Sequence, residues 1–133
     1  MALAQLKLLV NLARIDGEIS ERERKYITTI GLANGIPQDD ITPLFNQHHD
    51  YIDLNHLNNQ QKFNYIVSLV QLMKIDERLY QEEIRYCAAV ASRLGYDQAV
   101  MFDLMLHVRE AMQQKELEAL KQITEQYLSS KQG

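Results

Sequence analysis

The sequence predicts an all-α fold of about seven helices, made of two copies of a three-helix unit and one closing helix. Three observations predict it. The chain repeats itself 60 residues on, Leu9-Val10-Asn11-Leu12-Ala13-Arg14-Ile15-Asp16 returning as Leu69-Val70-Gln71-Leu72-Met73-Lys74-Ile75-Asp76. Apolar residues recur at the helical period, and no segment sustains the alternation of a half-buried strand. Glycine stops fall at matching places, Gly35 in the first copy and Gly95 in the second. Between positions 9 and 44, ten of 36 residues are identical at the 60-residue offset, where composition alone gives about two or three. Similarity at a fixed period marks a repeated supersecondary unit.

The elements follow in order. Residues 3–15 read as a first helix with Leu6, Leu9, Val10 and Ala13 on one face, ended by Asp16-Gly17. Ser20-Glu21-Arg22-Glu23 reads as a capping box that opens a second helix, with Ile27, Ile30 and Ala33 inward. Asn34-Gly35-Ile36-Pro37 stops it, and a third helix runs from about 38 or 39 to 47 on Ile41, Leu44 and Phe45. After a polar loop, 48–58, the second copy gives helices over about 59–75, about 81–94 and from about 97. These carry Phe63, Ile66, Val67, Val70 and Met73, then Ile84, Cys87, Ala88, Ala91 and Leu94, then Met101, Leu104, Met105 and Val108. The closing helix, about 115–129, carries Leu117, Leu120, Ile123 and Tyr127. With no Gly or Pro between residues 96 and 132, pattern alone does not say whether it is continuous with the helix before it.

A length of 133 residues suits a single domain, residues 1–133, with repeats over about 3–48 and 63–108. Apolar content of 46% is enough for a core without disulfides or metals. The net charge of −4 argues against a nucleic-acid partner, which needs a basic surface. The single cysteine, Cys87, excludes an internal disulfide and sits on an apolar stripe, where it reads as a small core residue. The N-terminal segment has no basic leader, and no apolar run reaches the roughly 20 residues that span a bilayer. A cytoplasmic location is therefore expected.

The chemical signal is a repeated acidic pair. Asp16 closes the first helix and Glu23 lies in the first turn of the second. Asp76 and Glu83 repeat the arrangement. A tight turn brings the two carboxylates of a copy to one end of a helical hairpin, and a pseudo-twofold axis would gather all four. Carboxylate oxygens suit hard cations, so Ca²⁺ or Mg²⁺ is expected over Zn²⁺. Capping explains Glu23 on its own, and turn chemistry explains Asp16 beside Gly17. In the second copy, however, Ser20 becomes Tyr80 and Gly17 becomes Glu77 while both acids stay. An EF-hand does not fit, because its first and third ligand positions would be Leu12 and Arg14.

The stretch Ala13-Arg14-Ile15-Asp16-Gly17-Glu18-Ile19-Ser20-Glu21-Arg22-Glu23 resembles the A-x-A-D-G-x-I-x-x-x-E signature of the tellurite-resistance TerB family. It is also similar to the TerB-like domain of a membrane-anchored DnaJ-type co-chaperone. The resemblance extends over most of the chain and implies a seven-helix duplicated fold. It further implies an acidic cluster that binds metal ions, here Asp16, Glu23, Asp76 and Glu83, and a place in stress-response assemblies. Ile15 departs from the small residue of the signature, and Glu77 from its glycine.

Other groupings carry less. His48, His49, Asp50, Asp53 and His56 share one loop, with imidazole and carboxylate suited to zinc but no recognised ligand spacing. Asp103 and His107 are four apart on one helix, and Tyr26 and Tyr86 occupy equivalent positions after the paired glutamates. Phosphate-binding, dinucleotide, CxxC and HExxH motifs do not occur. The expectation is a non-enzymatic, TerB-like protein that binds a divalent cation. The alternative is a helical interaction or scaffold module with a protein partner, a second copy of the chain included.

Overall fold

Each unit is built around one helix that buries more than one of its faces. The computed structural model describes residues 3–15, 17–75 and 81–128 of the protein. Among these residues are seven α-helices and one 3₁₀ helix, with no β-strand. The chain divides into two compact units, Met1–Asp53 and Leu54–Gly133. The first holds α1 (Leu3–Ala13), α2 (Glu21–Ala33), α3 (Gln38–Ile41) and a 3₁₀ helix (Thr42–Asn46). The second holds α4 (Asn59–Ile75), α5 (Gln81–Arg93), α6 (Val100–His107) and α7 (Gln114–Glu125). Asp16, Asp76 and the proposed end of the closing helix beyond 128 lie outside the described residues.

In the first unit, α1 buries Leu6, Leu8, Leu9, Val10, Leu12 and Ala13, more than one face of the helix. It ends two residues sooner than its apolar pattern, Arg14 and Ile15 forming a turn before Gly17 at φ +113°. The capping box is present in full. Ser20 Oγ accepts from the Glu23 amide at 3.1 Å, and Glu23 Oε1 accepts from the Ser20 amide at 2.9 Å. Such a cap is worth ~1 kcal/mol.

Helix α2 ends in a Schellman motif around Gly35, φ +81°, with the Ile36 amide donating to Gly31 O at 3.0 Å. Its inward face differs from the expectation: Ala33 is exposed and Gly31 is buried. Gly31 belongs inside because Ile41 of α3 packs on it. The third helix also changes character, becoming 3₁₀ from Thr42. Pro43 has no N–H to donate to Asp39, and its ring clashes with that carbonyl, so the α-helical ladder cannot continue.

The second unit repeats much of this by position. Gly95, φ +98°, ends α5 as Gly35 ends α2, with the Tyr96 amide donating to Ala91 O at 2.9 Å. Phe63, Ile66, Val67, Val70 and Met73 of α4 are all buried, as the pattern requires. Helix α6 begins at Val100 rather than near 97. Asp97 Oδ1 takes the Ala99 amide at 2.8 Å, so the preceding residues form an Asx turn.

Helices α6 and α7 are separate. Val108 is extended, at φ −73° and ψ 130°, and Gln113 opens α7 with its own capping box to Glu116. After α7, an isolated antiparallel bridge joins Leu128 to Tyr96, and the Asp97 amide donates to Tyr127 O at 2.6 Å. None of the helices among the described residues is long and apolar enough to cross a membrane.

Gly31 sets how closely α3 can approach α2. A Cβ there would stand 2.6 Å from Ile41 Cδ1 and 3.0 Å from Leu6 Cδ1. Overpacking of this kind costs ~1–3 kcal/mol, against the ~1 kcal/mol that alanine adds in a helix interior. Gly31→Ala is therefore expected to lower the unfolding free energy by up to ~2 kcal/mol in urea denaturation. An unchanged or raised midpoint would mean that Ile41 yields freely.

Candidate functional sites

Of the four acids singled out by the sequence, the structure describes two. Glu23 is 5% exposed and Glu83 is 3% exposed, each in the first turn of the second helix of its unit. Carboxylates this deeply buried are rare unless partnered, and Glu23 is partnered by the Ser20 amide. Glu83 stands close enough to Cys87 to help burial push that thiol up to about 12. Cys87 is fully buried, so it packs as a small apolar group. Asp16 and Asp76 are not among the described residues, and the pairing of each with its glutamate is not described either. Among the described residues, no three of His, Cys, Asp and Glu come together as metal ligands.

The histidine-rich loop is divided between solvent and core. His48 Nε2 lies 3.0 Å from Asp50 Oδ1 with both side chains exposed. His49 is buried, its Nε2 is 3.2 Å from Leu44 O, and burial lowers its pKa below the ordinary 6.5. Tyr26 and Tyr86 are both half-buried. Asp103 and His107 stand 4.0 Å apart, and Asp103 also accepts a 2.5 Å hydrogen bond from the Tyr127 hydroxyl, tying α6 to the residues after α7. That bond, followed by burial, raises the Tyr127 pKa.

Two polar positions at the end of the central helix of each unit, or just beyond it, do a job that the sequence reading did not assign. In the first unit, Asn11 Nδ2 donates to His49 O at 2.7 Å and Arg14 Nη1 donates to Phe45 O at 2.9 Å. Sixty residues on, Gln71 Nε2 donates to Arg109 O at 3.0 Å, and Lys74 Nζ donates to Met105 O and Val108 O at 2.6 Å each. Donors and acceptors both keep the offset, 11 with 49 becoming 71 with 109 and 14 with 45 becoming 74 with 105. The cations meet the unsatisfied carbonyls at the end of a helix, where positive charge is favoured. The signal was in the repeat itself: at the 60-residue offset Asn11 exchanges for Gln71 and Arg14 for Lys74.

The second unit also carries an open apolar surface. Phe102 and Leu106, four apart on α6, are 80% and 75% exposed. Beside Leu106 is a cleft of about 460 Å³ lined by Leu106, Met112, Ala119, Leu120 and Ile123, with His107, Arg109 and Glu116 also at its walls. Arg109 and Glu116 form an ion pair with each other. Sequence reading missed Phe102 and Leu106 because they fall off the apolar stripe of their helix. Two large apolar residues four apart outside that stripe were the available signal.

Neither a family model, nor a curated protein, nor a solved structure matches the chain.

Proposed function

We propose that this protein is a non-enzymatic helical interaction module that receives an apolar segment of a partner protein on the α6–α7 face. The observation that carries this reading is the exposure of Phe102 and Leu106, four apart on α6, with Leu106 also lining the apolar cleft. Burying a large apolar side chain contributes ~1.5–3 kcal/mol, so covering these two supplies a driving force for association. The architecture does not require them. At the 60-residue offset the first unit carries Thr42 and Asn46 in the same places. Aromatic and aliphatic anchors next to a groove are the usual centre of helix-in-groove recognition. The expected result is that wild type holds a partner from native lysate and Phe102→Ser with Leu106→Ser releases it at an unchanged thermal midpoint. Equal retention by the double variant would contradict the proposal. Self-association, read by light scattering of the same two proteins, would identify the partner as a second copy.

A second reading is a divalent-cation site of TerB-like kind at Asp16, Glu23, Asp76 and Glu83, serving a stress response. It is supported by the burial of Glu23 and Glu83 at equivalent positions while the serine cap of the first copy is a tyrosine in the second. Calorimetric titration with Ca²⁺ and Mg²⁺ is expected to give saturable binding that Asp16→Asn with Glu23→Gln weakens at least tenfold, as loss of charged ligands does. No heat with either ion, or unchanged affinity in the variant, would remove this reading.

A further inference from the structure

A second cleft, of about 330 Å³, lies in the first unit and is lined by Arg14, Gly17, Glu18, Ile19, Arg24 and Phe45. We propose that it is a binding site for a phosphate-type oxyanion, held between the guanidinium groups of Arg14 and Arg24.

Three observations point there. Both arginines are anchored by the same residue, Phe45, and by different means. Arg14 Nη1 donates to the Phe45 carbonyl at 2.9 Å, and the guanidinium carbon of Arg24 stands over the Phe45 ring, 4.6 Å from its centroid. A guanidinium carries five N–H donors. The carbonyl uses one nitrogen of Arg14, and stacking uses the face of Arg24 rather than its edge. Donors therefore remain on both groups to meet a tetrahedral anion in the forked geometry that arginine supplies.

Among the described residues the charge is also unmatched. Glu18 lines the same cleft, yet among the described residues neither arginine forms an ion pair with it. The third observation is the repeat. Lys74 replaces Arg14 and keeps its contact with the carbonyl at the equivalent position, so that contact belongs to the architecture. Arg24, in contrast, is replaced by Ile84. The unit folds without a cation there, and the second arginine is an addition particular to the first unit.

This site does not depend on the α6–α7 surface or on a bound cation, and its test keeps them apart. The probe is inorganic phosphate, titrated into ¹⁵N-labelled protein in the presence of a chelator and compared with chloride at matched ionic strength. The expected result is saturable shifts at Gly17, Ile19 and Arg24. Arg24→Ile, which places in the first unit the residue the second already has, should weaken phosphate binding by about tenfold or more, the loss of one charge-assisted contact. Arg24→Lys, with charge but no fork, should fall between the two. Glycerol phosphate in a parallel titration separates sources: tighter binding than inorganic phosphate indicates a phosphate monoester, and equal binding a free oxyanion. Shifts no larger than those from chloride, or full affinity in an Arg24→Ile protein with native spectra, would overturn the proposal.

Discussion

The rest of each unit depends on polar side chains at the end of its most buried helix or just beyond it. Helices α1 and α4 are apolar on most of their surface and would pack in several ways if hydrophobic burial alone decided. Asn11 with Arg14, and Gln71 with Lys74, remove that freedom by reaching carbonyls at the far end of the third element. Lys74 shows the balance of forces most clearly. Burial lowers its pKa, and two carbonyl contacts at 2.6 Å compensate the ammonium for the water it gives up. Hydrogen bonds to a charged group are worth ~1.5–3 kcal/mol, enough to select one register among several apolar ones.

That constraint explains where sequence reading succeeds and where it stops. The start of α2 and the ends of α2 and α5 follow from local signals: the capping box, the glycines and the helical period. The change to 3₁₀ at Thr42 is local too, since Pro43 dictates it. The break after His107 is different. No Gly or Pro marks it, and it coincides with Lys74 holding Met105 O and Val108 O from 31 and 34 residues away in sequence. Gly31 in place of Ala33 on the inner face of α2 likewise depends on Ile41, which no window on α2 contains. The capping role of Glu23 was legible from Ser20, whereas the donors at 11, 14, 71 and 74 need the fold to show their acceptors.

Comparison at the 60-residue offset separates what the architecture needs from what each unit adds. The carbonyl contacts, the glycines at 35 and 95 and the buried glutamates recur in both. Arg24 against Ile84, and Thr42 and Asn46 against Phe102 and Leu106, do not recur. Such positions are free to differ between the two units, because none of them is buried in the core. The apolar face of the second unit and the second arginine of the cationic cleft fall at those divergent positions, whereas the acids of the cation reading recur.

The central claim is that the cation at position 74 holds the end of α6. Amide hydrogen exchange in Lys74→Met against wild type tests it most directly, with the amides of α5 as the internal reference. The account predicts faster exchange at the end of α6, including the Val108 amide that donates to Leu104 O, while α5 keeps its protection. Unchanged exchange in α6, or the same loss of protection in both helices, would contradict it.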